Sequence, residues 1–119
     1  MVPTPVVLVV EDEPIIRLGA VDLIESAGFE VIEARDADHA IEILNARRDI
    51  RIVVTDIEMP GSMDGLKLAA AIRDRWPPIE IIVTSGKVRP SDDALPARGV
   101  FIPKPYNENN LVRALREFV

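Results

Sequence analysis

Asp56 closes an apolar run, Val53-Val54-Thr55, and Pro60-Gly61 follow almost at once. Apolar β-branched residues ahead of a carboxylate, with a turn behind it, read as a buried strand that presents Asp56 at its C-terminal tip. Other reactive side chains stand in the same relation to a strand. Glu11 and Asp12 follow Val6-Val7-Leu8-Val9-Val10, Thr84 and Ser85 follow Ile81-Ile82-Val83, and Lys104 follows Val100-Phe101-Ile102-Pro103. Each has a bland reading alone. Glu11-Asp12-Glu13 suits a solvated helix start that favours the dipole, Ser85 a turn, Lys104 a surface charge. Brought together they ask for specific chemistry. Three neighbouring carboxylates repel unless a proton or a cation neutralises them. Oxygen donors without His or Cys suit Mg²⁺, Mn²⁺ or Ca²⁺, and Mg²⁺ keeps waters and leaves room for a phosphate. Lys104 supplies a compact charge for one more anion, and a serine hydroxyl can donate to it. A carboxylate beside a metal and a lysine can attack phosphorus. The set asks for a phosphoryl group, with Asp56 as its best acceptor.

The elements between these residues decide whether they meet. Residues 6–10 form a continuous apolar run, as in a strand buried on both faces. Pro14 suits the first turn of a helix. Ile16, Ala20, Leu23, Ile24 and Ala27 fall at helical spacing, with Gly28 as C-cap. Residues 29–34 read as a second strand, and the interruptions at Glu30 and Glu33 suit an edge. Asp36 caps a helix with Ala37, Ala40, Ile41 and Leu44 inward; His39 falls off that stripe and reads as a solvated surface residue. Residues 51–55 make the third strand, and Asp64-Gly65 open a helix carrying Leu68, Ala69 and Ile72, closed by Pro77-Pro78. Residues 79–84 and 100–102 are the fourth and fifth strands. Asn107 caps a last helix with Leu111, Ala114, Leu115 and Phe118 inward. Strand and helix thus alternate five times, which predicts an α/β fold with a parallel sheet covered on both faces. Ligands of such open sheets bind beyond the carboxyl ends of the strands.

The helix between the fourth and fifth strands is the weak one. Pro90 can start it, but Pro96 cannot continue it and biases Leu95 away from helical geometry. That leaves Ser91-Asp92-Asp93-Ala94-Leu95, little more than a turn, so residues 87–99 are expected to be loosely held.

Composition narrows the function. The chain has 119 residues, 48% of them hydrophobic, enough for one globular domain. Lys plus Arg is 14 and Asp plus Glu is 20, a net charge of -6, with no basic patch visible in the sequence. That argues against nucleic acid or an anionic membrane as partner. There is no cysteine and one histidine, which excludes thiol chemistry, disulfides and a His or Cys zinc site. Neither a membrane-spanning run nor a signal-peptide pattern is seen, so the expected location is the cytoplasm.

The chain resembles a bacterial response-regulator receiver domain, the phosphoacceptor half of two-component signalling, over essentially its whole length. The resemblance rests on Glu11-Asp12 after the first strand, Asp56 followed by Met59-Pro60-Gly61, Ser85-Gly86 and Lys104-Pro105. It implies a three-layer α-β-α, doubly wound, flavodoxin-like fold with strand order 2-1-3-4-5. It implies that Asp56 accepts a phosphoryl group from the phosphohistidine of a sensor histidine kinase or phosphotransfer protein. Asp12 and Asp56 would ligate Mg²⁺ (or Mn²⁺) directly, Glu11 through water and Glu58 through its backbone carbonyl. Lys104 would bind the phosphoryl group or Asp56, and Ser85 would move to hydrogen-bond the new phosphate. The Lys104-Pro105 peptide would be cis. Phe101, three residues before Lys104, has two readings of equal weight: an aromatic that changes rotamer with the switch, or a core residue of an edge strand. Glu58 and Lys87 are expected to meet over the mouth of the site, at positions that tune phosphoryl loss in the family. The face of the fourth helix, fifth strand and last helix would be read by a downstream protein, after phosphorylation orders the loose segment. The loop Met59-Pro60-Gly61-Ser62-Met63-Asp64-Gly65 is one residue longer than the family's Met-Pro-Gly-Met-Asp-Gly.

On this reading residues 1–119 are a single receiver domain without an output domain, either standing alone or belonging to a longer protein. It is a monomer or weak dimer and catalyses only its own phosphorylation and dephosphorylation. The competing reading is a metal-dependent phosphatase or phosphotransferase using an aspartyl-phosphate, which resembles Asp-x-Asp where this chain has Glu58. A flavodoxin-like cofactor binder is a third, and it would need a phosphate loop where Glu11-Asp12-Glu13 stands.

Overall fold

A strand that is apolar at every position must be covered on both faces, and the chain is arranged to do so. The computed structural model describes residues 4–87 and 89–119; residues 1–3 of the short N-terminal lead, and Val88, on which the expectation for residues 87–99 partly falls, lie outside the described residues. The strands β1 (Val6–Val10), β2 (Glu30–Ala34), β3 (Ile50–Asp56), β4 (Glu80–Ser85) and β5 (Val100–Pro103) form one parallel sheet in the order β2-β1-β3-β4-β5. This is the expected order, with the Glu-interrupted β2 at an edge. Register puts Thr84 opposite Asp56 and Pro103 opposite Ser85, while Thr55 lies beside Val10. The tips of β1, β3, β4 and β5 therefore end together.

Four α-helices cover the sheet: α1 (Pro14–Ser26), α2 (Ala37–Ala46), α3 (Gly65–Arg75) and α4 (Glu108–Glu117). Leu8, Val10, Val53, Ile81 and Val83 pack with Ala40, Leu44, Leu68 and Ile72, so α2 and α3 lie on one face. Val7, Val9, Ile52, Val54 and Ile82 pack with Ala20, Ile24, Leu111 and Leu115, so α1 and α4 lie on the other. Alternate residues of each strand feed alternate faces, as the pleat requires. Asp36, Asp64 and Asn107 cap their helices by accepting the backbone N–H groups of His39, Lys67 and Asn110. Gly28 at φ 99° turns the chain out of α1.

Several expectations need correction. There is no fifth α-helix among the described residues. Between β4 and β5 lies only a 3₁₀ turn, Asp92–Ala94, with no buried residue. Its cause is the one anticipated: Pro96 forces Leu95 into extended geometry, φ -85° and ψ 143°. Ile16 does not face the core; it is 42% exposed, beside Ile15 at 85% and Leu18 at 65%, because α1 turns Ala20, Val21 and Ile24 inward instead. His39 is half-buried, and its Nδ1 accepts the backbone N–H of Arg35 at 3.1 Å. Basic residues do gather in space. Arg47, Arg48, Arg51 and Arg75 line a cavity of about 850 Å³ with Trp76, at the sheet end opposite the acidic tips. The C-termini of α2 and α3 meet there, and cations complement such ends.

Candidate functional site

Parallel strands whose C-terminal ends lie in register carry their last side chains to one edge, and that edge is acidic. Glu11, Asp12 and Asp56 each bring a carboxylate oxygen to within 4.8 Å of the others. Glu11 and Asp56 are almost dry, 4% and 6% exposed. Lys104 Nζ lies 2.6 Å from Glu11 Oε1 and 3.3 Å from Asp56 Oδ1, so one ammonium faces two carboxylates. The Lys104-Pro105 peptide is cis. The Glu11 carbonyl accepts from Arg17 Nη1 at 2.9 Å, and its Oε2 from the backbone N–H of Glu13 at 3.2 Å. Asp56 Oδ1 is buried without a hydrogen-bond partner.

The electrostatics follow from that packing. Burial pushes the Asp56 carboxyl up to about 6; Lys104 opposes the shift, while Glu11 and Glu58 add to it. Burial works against the Lys104 ammonium, but the hydrogen bond and charge of Glu11, with Asp56, outweigh it and raise its pKa. Burial likewise raises the Tyr106 phenol. One cation cannot balance three carboxylates, and buried charge left unbalanced costs free energy. The donor set is hard oxygen, three carboxylates within 4.8 Å of one another with more negative charge than Lys104 balances, so the residues fit a divalent cation of the Mg²⁺ type.

The sign of the Asp56 shift sets a pH dependence in metal-free protein. Between the ordinary value of 3.8 and about 6, native Asp56 holds a proton that the unfolded chain has lost. Stability contributed by this group therefore falls as pH rises through that window, by up to about 3 kcal/mol. In chelator, wild type should lose stability relative to Asp56→Asn between pH 4 and pH 6 (about two units), and the difference should be constant above. Parallel curves across that window would show that Asp56 is not shifted upward.

Each expected residue can now be placed. Asp56, Glu11, Asp12 and Lys104 converge. Ser85 is 2% exposed at the tip of β4, next to them. Its hydroxyl donates to Glu58 at 2.7 Å to Oε1 and 2.8 Å to Oε2, and accepts the backbone N–H of Lys87 at 3.1 Å. The direct pairing expected of Glu58 and Lys87 needs correction. Among the described residues no ion pair joins them; the Glu58 carboxylate is taken by the Ser85 hydroxyl instead, and Lys87 meets Ser85 only through its backbone N–H. Phe101 is half-buried against the core, with the Arg89 guanidinium 5.4 Å over its ring. The longer loop turns at Gly61, φ 111°, and Ser62 Oγ donates to Asp38 Oδ1 at 2.5 Å. That bond ties the extra residue to α2.

Sequence reasoning missed Arg17, Tyr106 and the contact of Gly65 with the Asp56 carbonyl. A Cβ on Gly65 would overlap the Asp56 carbonyl oxygen. The only signal for it was a glycine directly after the capping Asp64. Tyr106 and Lys104 also line an apolar cavity of about 530 Å³ with Ile16, Gly19, Leu23 and Pro105, beside the acidic edge.

Comparison with known proteins agrees with this fold. A family model described as response regulator receiver domain matches residues 7–116. The chain is 37% identical over 120 residues to the sensor kinase CckA of Brucella abortus, covering 95% of this chain and 12% of that protein. It is 31% identical over 119 residues to the aerobic respiration control protein ArcA of Escherichia coli K12, covering 98% and 49%. The chain thus spans half or less of these curated relatives. Its fold superposes on the response regulator TrrA of Thermotoga maritima, solved in complex with Mg²⁺-BeF, with TM-score 0.84, 26% identity and coverage of 98% and 100%.

Proposed function

The chain belongs to the response-regulator receiver domain family, and from that premise we propose that Asp56 is its phosphoacceptor. Receiver domains are signalling switches of two-component systems. The observation that carries the assignment is the setting of Asp56: a nearly dry carboxylate at the tip of β3, its Oδ1 without a hydrogen bond and 3.3 Å from Lys104 Nζ. An Asp56 oxygen attacks the phosphorus of a phosphohistidine on a sensor kinase or phosphotransfer protein. The P–N bond breaks, the imidazole leaves, and an acyl phosphate remains on Asp56. Lys104 lies where it can hold charge on the transferring group. The apolar cavity between α1 and Tyr106 gives a phosphodonor protein a surface beside the reacting atom. The test is phosphorylation by a small phosphodonor with Mg²⁺, read by intact mass.

Asp12 and Asp56, with the Glu58 backbone carbonyl and Glu11 through water, are the residues that would hold Mg²⁺. The ion would neutralise the acidic edge and stabilise charge on the transferred group. Mn²⁺ suits the same donors. The face of the 3₁₀ turn, β5 and α4 is the surface for a downstream protein, and phosphorylation orders the turn through Ser85 and Lys104. Residues 1–119 act as one receiver domain, monomeric or weakly dimeric, catalysing only its own phosphorylation and dephosphorylation. None of its described helices is long and apolar enough to cross a membrane.

A ligand that binds only the native state raises stability by mass action. Mg²⁺ at about ten times its Kd should therefore raise stability by about 1.4 kcal/mol. That corresponds to a rise in melting midpoint of roughly 5 °C for a domain of this size. Asp12→Ala should lose most of the rise against chelator. A response equal to wild type would remove Asp12 from the ligand set.

A further inference from the structure

We propose that Glu58 is a positioning residue that latches Ser85 in the resting protein and releases it when negative charge arrives at Asp56. The inference rests on Asp56 being the phosphoacceptor. A hydroxyl carries one proton, and that of Ser85 is given to the Glu58 carboxylate, at 2.7 and 2.8 Å. Its oxygen in turn receives the Lys87 backbone N–H at 3.1 Å. The Ser85 carbonyl is tied to the Lys104 backbone N–H at 2.9 Å, so the strand end is fixed and only the side chain is left to rotate. To donate to a phosphoryl oxygen on Asp56, the hydroxyl must leave Glu58. Bonds to a carboxylate are stronger than bonds between neutral groups, and Ser85 is nearly dry. The resting state is therefore held by a charged acceptor.

The same carboxylate senses the switch. Its charge already acts on Asp56. Phosphorylation places about -1.5 to -2 charges there. That charge repels Glu58 and offers Ser85 acceptor oxygens of its own. One event weakens the latch and stabilises the released rotamer. A neutral side chain at position 58 could not couple the two in this way.

The measurement is a double-mutant cycle on binding of beryllofluoride, a phosphoryl mimic, in Mg²⁺. Wild type, Glu58→Ala, Ser85→Ala and the double variant are compared. Glu58→Ala should bind about tenfold more tightly, the scale of one hydrogen bond to a charged group. In the Ser85→Ala background the same change should gain little. Glu58→Gln, which keeps the shape and loses the charge, should lie between wild type and Glu58→Ala, and serves if the alanine variant folds poorly. An equal gain in both backgrounds would show that Glu58 acts only as a nearby charge, and no gain in either would also overturn the latch. Failure of the underlying assignment looks different: wild type itself would neither bind beryllofluoride nor accept phosphoryl at Asp56, and both ideas would fall.

Discussion

An Asp56→Asn variant is expected to gain no phosphoryl group from a small phosphodonor in Mg²⁺, under conditions where wild type gains one. The amide has the shape of the carboxylate but no anionic oxygen to attack phosphorus. The neighbouring carboxylates are poor substitutes. Glu11 is held by Lys104 at 2.6 Å. Asp12 lies at the start of α1 rather than at the tip of the central strand, and no ammonium is paired with it among the described residues. The effect is all or none in intact mass. Loss of fold is a weak explanation for such a result, because the substitution removes a buried charge whose ionisation is already disfavoured. Asn should leave the domain as stable as wild type, or more so at neutral pH. A full adduct on the variant would move the phosphoacceptor to another residue.

The strand tips were legible because their signal is local. An apolar run such as Ile81-Ile82-Val83 followed by Thr84-Ser85 states both where a strand lies and what it presents. The weakness of the helix between β4 and β5 was legible for the same reason, since Pro96 acts on the residue directly before it, though a short helix was expected where only a 3₁₀ turn forms. Facing was harder. Ile16 fits the helical stripe of α1, yet it is exposed, because which stripe points inward depends on how α1 seats against β1 and α4. Side-chain pairing was harder still. Glu58 and Lys87 stand at matching offsets from Asp56 and Ser85, but the backbone at the strand ends brings Ser85 Oγ to Glu58 first. The bond between Glu11 and Lys104 spans |i−j| = 93; only strand order, supplied by the resemblance rather than by alternation, brings the two tips near each other. The arginines around Trp76 come from two stretches of chain, and the sequence alone does not show that the start of β3 and the end of α3 lie side by side.

Gly65→Ala is expected to destabilise the domain by about 3 kcal/mol or more, the upper end for overpacking a rigid site. The obstacle is backbone. An added Cβ would overlap the Asp56 carbonyl oxygen and lie 2.6 Å from its carbon and 2.9 Å from Ile57 Cα. A flexible side chain could swing away from such an intrusion; a strand end cannot. Retreat of α3 is also opposed, because the Gly65 N–H donates to the Ile57 carbonyl at 2.9 Å. Moving Gly65 breaks that bond. The strain falls on Asp56, the proposed phosphoacceptor, so phosphoryl uptake should drop together with stability. Gly19 provides the contrast. It lies inside α1, and a methyl group added there would meet nothing within 4 Å. There the same substitution should stabilise by about 0.5–1 kcal/mol, since alanine favours a helix interior. Thermal melts of both variants separate steric cost from helix propensity. If Gly65→Ala melts within a degree or so of wild type (about 0.2 kcal/mol), the close approach of α3 to the Asp56 carbonyl is not what sets the wall of the site.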